Sequence, residues 1–379
     1  MKKRILLVLL LLTSCIKDPN PEQGYKIYSQ TTFSVGFDTS FQLIGETASQ
    51  EEFVKYYEMM VNEGQYFNKV FDRYNDYPNT NNIKTINDNA GIKAVQVDKP
   101  VIDLILMAKT WSEKTDYAFD ITIGAVADIW HEYREIGKIR NNQGESYPSP
   151  PLKDLQAASQ YIGYKYVEID EVNSTVYLSH PAVRLDVGAI AKGYAVEKIA
   201  ETLVAAGLES GVLNGGGNIK ILGPKRNGDN WGFELDNPNK PVFSDSSDKL
   251  DILRTTLPLS LVTSGDYQRY YIDDNNIRQH HIINPKTLFP NQDKRAVIIM
   301  HQDSRVADIL STALFVNSVK WGIDFINQFN ADHPNEPIYV IWVTSERPNQ
   351  FDSTTLRKFQ DLYLTYSNNI LTLSKHFNP

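Results

Sequence analysis

The chain has 379 residues, 41% of them hydrophobic and 22% charged, with a formal net charge of −8. That length and apolar content suffice for a large core or two subdomains, and the acidic balance argues against a nucleic-acid partner, because polyanion binders carry a basic face. Its one cysteine, Cys15, leaves no disulfide framework and no thiolate metal site.

In chain order, Lys2, Lys3 and Arg4 precede an apolar run over residues 5–12. This run is far short of the roughly 20 residues that span a bilayer, so residues 1–14 read as a signal peptide. Leu12-Thr13-Ser14-Cys15 looks like a lipobox. Cys15 is therefore expected to carry lipid and to anchor an exported protein on the periplasmic or outer side of a bacterial envelope, with no other membrane contact. Residues 15–26, with Pro19, Pro21 and Gly24, read as a flexible tether.

Residues 31–37 alternate as a strand does, and 51–71 repeat as an amphipathic helix. A second helix is expected over 100–115, with Val101, Leu104, Ile105 and Ala108 on one face, and a third over 121–133. The proline-bearing stretch 141–151 reads as a surface loop near a subdomain seam, and the polar stretch 237–251 as a mobile loop. Strands are expected at 166–169, 175–178, 211–213, 219–222, 231–235, 259–263, 268–272 and 296–300, and a helix at 306–316. The pattern is that of an α+β fold with largely antiparallel sheets and helices laid against them.

The run from Leu185 to Tyr194 reads as a strand ending in Asp186, a turn at Gly188 and a helix continued by Ile190, Tyr194, Ile199 and Leu203 up to Gly207. A helix N-terminus offers unpaired N–H groups and partial positive charge to phosphate, and Asp186 and Lys192 suit a metal and an anionic oxygen. The same glycine also serves a plain tight connection. Tyr194 stands where a Walker lysine would be, and residues 214–218 lack the third glycine of a dinucleotide fingerprint. Asp308, Ser311 and Thr312, at i, i+3 and i+4, share one helix face, as hard-cation ligands or as an ordinary polar face. His281 precedes Ile282-Ile283-Asn284-Pro285. An imidazole there either accepts a proton near neutral pH or packs a turn.

Seven segments in order resemble the ApbE-type flavin transferases: 71–74 with 83–87, 118–124, 185–194, 212–219, 264–267, 281–287 and 307–313. The resemblance covers roughly residues 27–345 and leaves 346–379 as a C-terminal extension. It implies an ApbE-like fold and an Mg²⁺-dependent FAD:protein FMN transferase, with FAD as substrate. The acceptor it implies is a Thr or Ser hydroxyl of an exported flavoprotein, such as a subunit of a membrane electron-transfer complex. It assigns FAD contacts to Tyr74, Ala118, Phe119, Asp120, Asp186, Lys192 and His281, and the base role to His281. Metal ligation falls to Asp308, Thr312 and the carbonyl of Ala189, with Ser311 as a further ligand. An FAD pyrophosphatase at the same site and a non-catalytic flavin-binding lipoprotein are the alternatives. The chain departs from the family pattern at Ser29-Gln30-Thr31-Thr32 and at Leu288, where a glycine is usual.

Overall fold

A computed structural model describes residues 24–240, 248–349 and 354–372. Cys15, the signal peptide and part of the expected 237–251 loop lie outside the described residues. The chain opens with strands β1 (Lys26–Gly36) and β2 (Thr39–Thr47), then helices α1 (Gln50–Phe71) and α2 (Ile83–Asp88). Strand β3 (Val95–Gln96) precedes α3 (Lys99–Lys114), α4 (Gly124–Asn142) and α5 (Leu152–Ser159). Strands β4 (Val167–Asp170) and β5 (Thr175–Leu178) lead to α6 (Ala191–Ala205). A run of strands follows: β6 (Gly211–Gly215), β7 (Asn218–Gly223), β8 (Trp231–Leu235), β9 (Asp251–Thr255), β10 (Ser260–Gly265), β11 (Tyr270–Ile272), β12 (Arg278–His280) and β13 (Ala296–His301). Helices α7 (Ser304–Val316) and α8 (Val319–Asp332) and strands β14 (Tyr339–Thr344), β15 (Thr354–Phe359) and β16 (Leu362–Ser367) complete it.

The main sheet has the order β1-β2-β6-β7-β10-β13-β14-β16-β15, and all its neighbours are antiparallel. Its central strands are buried on both faces, and the two-residue period divides them between two cores. Val297, Ile299, Val340 and Trp342 pack into the helical core with α1, α6 and α7. The alternate residues Ile298, Met300, Ile341 and Val343 meet Leu235, Leu250 and Leu253 from β8 and its neighbourhood. Continuous apolar runs such as Ala296-Val297-Ile298-Ile299-Met300 follow from this double cover.

The helices begin and end for local reasons. Ser49 caps α1 by accepting the N–H of Glu52 at 3.2 Å, while Glu52 reaches back to the N–H of Ala48 at 2.9 Å. After α6, Gly207 at φ +106° carries the chain out of the helix, in a conformation a side chain would resist.

Three expectations needed correction. Residues 185–186 form no strand; the segment is pinned instead by Asn87, which exchanges hydrogen bonds with the backbone of Leu185, and by the N–H of Asp186 donating to the carbonyl of Ile121 at 2.7 Å. The third helix starts at Gly124 and runs into the expected loop, to Asn142. Third, the extension is no appendage: β15 and β16 continue the main sheet beyond β14.

Candidate active site

A cleft of about 570 Å³ opens where the N-terminus of α6, the face of α7, one face of α4, the loop 118–123 and the segment 281–285 meet. Tyr74, Ala118, Phe119, Asp120, Asp186, Ala189, Lys192, His281, Asp308 and Thr312 all line it. Residues more than two hundred positions apart are thus gathered around one space.

Asp308 is a buried acid of the site, 5% exposed on the second turn of α7. Its Oδ2 accepts the N–H of Gly193 at 2.8 Å, and it has no ion-pair partner among the described residues. Burial raises its pKa; the charge of Lys192 and the Gly193 N–H pull the other way. This close approach of α6 to α7 depends on Gly193, because a Cβ there would lie 2.5 Å from both the Asp308 Cβ and the Ser304 carbonyl oxygen. Behind the contact, buried Glu197 accepts from Lys220 Nζ at 2.9 and 3.1 Å and from the N–H of Ser304 at 2.6 Å. One carboxylate so ties α6, β7 and the start of α7 together.

Asp308, Thr312 and Ala189 line the same cleft and carry between them a carboxylate, a hydroxyl and a backbone carbonyl. An all-oxygen set with a buried, unpaired carboxylate fits a hard divalent cation that keeps waters or takes phosphate oxygens. Ser311 does not join it. It is absent from the cleft lining, its hydroxyl donating to the Asp308 carbonyl at 2.8 Å and lying 2.7 Å from Oγ of Ser264, which does line the cleft. No group of three or more His, Cys, Asp or Glu able to hold a metal occurs among the described residues.

Asp186 accepts the N–H of Gly188 at 2.8 Å and is bridged by Arg73, which also reaches Asp128. Burial would raise its pKa, but Arg73 and the Gly188 N–H outweigh it and hold the carboxyl low. Asp120 does not cap α4, which begins later. It closes its own turn, accepting the N–H and hydroxyl of Thr122 at 2.8 and 2.7 Å, and burial raises its pKa. Lys192 is half-buried, 3.4 Å from Asn218 Oδ1. Burial lowers its pKa, opposed by Asp308.

His280 and His281 part company at the end of β12. His280 is buried, its Nε2 donating to the Asn291 carbonyl at 2.7 Å and its Nδ1 accepting the N–H of Ile282 at 3.2 Å. That bonding fixes a neutral tautomer. His281 lines the cleft and its ring is exposed there, and desolvation by the surrounding cleft, helped by His280, Arg134 and Arg269, moves its pKa well below 6.5. It is therefore an uncharged acceptor at neutral pH.

Sequence reasoning gave no role to Arg73, His131, Arg134 or Arg269. On α4, Ala127, Trp130, His131 and Arg134 fall at i, i+3, i+4 and i+7 and all face the cleft. A histidine and an arginine on an otherwise apolar helix face were the available signal. Arg269 follows β10 in an irregular stretch and gave none.

The description "ApbE family" fits residues 36–334. A FAD:protein FMN transferase of Klebsiella pneumoniae is 32% identical over 299 residues, covering 78% of this chain and 86% of that protein. One from Treponema pallidum is 31% identical over 262 residues, covering 65% and 68%. The ApbE protein of Thermotoga maritima superposes with a TM-score of 0.69 at 27% identity, covering 84% of this chain and 94% of its own. The apo flavinyl transferase ApbE of Pseudomonas stutzeri, at 20% identity and a TM-score of 0.68, covers 92% and 97% and shares the fold. The described α+β architecture and its antiparallel sheet agree with these structures, and the chain belongs to the ApbE family.

Proposed function

We propose that this chain is an Mg²⁺-dependent FAD:protein FMN transferase, attaching FMN to a Thr or Ser hydroxyl of an exported flavoprotein and releasing AMP. The supporting observation is the convergence on one cleft of an unpaired buried carboxylate, Asp308, the cations Lys192, Arg134 and Arg269, and the neutral imidazole of His281. The names of the Klebsiella and Treponema relatives point to the same chemistry.

The acceptor oxygen attacks the flavin-side phosphorus of FAD. A P–O bond forms to the acceptor, the P–O bond to AMP breaks, and its electron pair leaves on the AMP phosphate. His281 takes the hydroxyl proton, a contribution of roughly 10²–10⁴-fold for a positioned base. Lys192 offsets phosphate charge from the first turn of α6. Asp308, Thr312 and the Ala189 carbonyl would hold Mg²⁺, which when bound neutralises pyrophosphate charge and polarises a phosphoryl oxygen. The rest is orientation and fixed electrostatics.

Incubation of the purified chain with FAD, Mg²⁺ and a candidate acceptor tests this. The acceptor should gain the mass of FMN less water, with AMP released in equal amount. AMP and free FMN with an unmodified acceptor would instead identify a pyrophosphatase, and binding without AMP release a passive flavin carrier.

We also propose anchoring through lipid on Cys15, supported by the short apolar run and the lipobox. No helix of the described residues is long and apolar enough to cross a membrane. Cys15→Ala should leave the precursor unprocessed; lipidated, processed protein from that variant would refute the anchor. An acceptor on a membrane electron-transfer complex would suit a tethered enzyme.

A further inference from the structure

The hydrogen bonds that cross between α6 and α7 are reciprocal. The N–H of Gly193, in the first turn of α6, donates to Asp308 Oδ2 in the second turn of α7 at 2.8 Å. The N–H of Ser304, the first residue of α7, donates to Glu197 Oε2 in the second turn of α6 at 2.6 Å. Each helix thus has an N–H that it cannot pair internally taken by a carboxylate of the other. The two rungs lie four residues apart on both helices, about 6 Å along the axis. The second rung is held from behind by Lys220 of β7, whose Nζ donates to both Glu197 oxygens and to the carbonyl of Gln302, just before α7 begins. Glu197 and Lys220 are buried, and neither lines the cleft.

We propose that Glu197, clamped by Lys220, is a positioning residue that sets the register of α7 against α6 and so fixes Asp308 and Thr312 relative to Ala189 and Lys192. The inference rests on the reading of Asp308, Thr312 and Ala189 as the metal-holding set. That set is split between two elements: Ala189 directly precedes α6, while Asp308 and Thr312 ride on α7. A slide of one helix along the other would therefore pull its oxygens apart. The Gly193–Asp308 rung is itself part of the site. The Glu197–Ser304 rung stands outside it, with backbone at one end and a carboxylate held by Lys220 at the other. It can fix the spacing whatever the cleft binds. Partners of this kind, which orient ligands without touching the metal, matter by about 10–100-fold in metal affinity.

The test uses the full chain and two double variants, because replacing both members avoids stranding one buried charge. Glu197→Gln with Lys220→Met keeps an oxygen to accept the Ser304 N–H. Glu197→Leu with Lys220→Met keeps the volume and removes the acceptor. Mn²⁺ binding is followed by electron paramagnetic resonance without FAD, and hydrogen exchange is read at the Gly193 amide. The leucine pair should weaken Mn²⁺ binding about 10–100-fold and speed exchange at Gly193, while the glutamine pair stays near wild type on both. A leucine pair that binds Mn²⁺ and protects Gly193 as the wild type does would overturn the proposal. So would a glutamine pair as impaired as the leucine pair, which would make the buried charge, not the rung, the cause. Should the leucine pair fail to fold, Ser304→Pro removes the donor from the other side. Proline is tolerated at the first helical position, and Asp303 before it is already extended; normal Mn²⁺ binding and Gly193 exchange in that variant would equally refute the clamp. If Asp308→Asn binds Mn²⁺ as the wild type does, the metal reading fails, while exchange at Gly193 still judges the register.

Discussion

At the scale of single residues, the depressed pKa of His281 sets the pH behaviour. Only the neutral ring accepts a proton, and its pKa in the free protein lies well below 6.5. The kcat/KM for transfer should therefore be level above that value and fall only at more acid pH, as the ring gains its proton. His281→Ala should lose roughly 10²–10⁴-fold in kcat, with little change in FAD affinity. An acid limb that persists in the alanine variant would assign it to another group. Asp308→Asn keeps the shape of the side chain but removes its charge. It should raise the Mg²⁺ concentration needed for half-maximal rate and lower kcat, while FAD binding falls less, and excess chelator should silence the wild type. Unaltered metal dependence, measured by titrating Mg²⁺ at saturating FAD, would remove Asp308 from the site.

At the scale of elements, the site depends on how closely α6 meets α7. Gly193→Ala forces a Cβ to within 2.5 Å of Asp308 Cβ and the Ser304 carbonyl, so one helix must shift. Overpacking of this kind costs about 1–3 kcal/mol, visible as a lowered melting temperature. Because the displaced atom carries the Asp308 carboxylate, activity should fall more than stability does. A variant with normal kcat would show that the spacing of the helices is not critical. Leu288 teaches a related lesson. The family glycine matters at that position because the backbone is left-handed there, at φ +65°. Leu288 accepts the strained conformation, with its side chain buried among Trp130, Ile283 and Tyr271 and its carbonyl receiving the Trp130 Nε1–H at 2.8 Å. Packing on α4 thus offsets a conformation that sequence alone marks as unfavourable.

At the scale of the whole molecule, the C-terminal strands belong to the core. Leu362, Leu364 and Tyr366 are buried against Ile341 and Val343. Truncation after Thr344 would remove these three side chains, uncover Ile341 and Val343, and leave β14 as an open edge. Each large side chain contributes about 1.5–3 kcal/mol on burial, so three of them rival the total of about 5–15 kcal/mol that holds a typical domain folded. The truncated chain should be insoluble or lack a cooperative melting transition; a soluble, active product would show the strands to be dispensable. By itself the sequence determined the helices whose apolar stripes repeat over many turns, such as α1, α3 and α6, and the strands that alternate or run apolar; its local motifs also singled out Asp120, Asp186, Lys192, His281, Asp308 and Thr312, which all line the one cleft. These are legible because periodicity and motif spacing are short-range properties of the chain. Only the tertiary structure decided that Ser311 turns to Ser264, that Asp186 is held by Arg73 from 113 positions away, and that Arg134 and Arg269 face one cleft. Side-chain direction and charge compensation arise from packing between distant segments, and no local pattern encodes which segment will arrive.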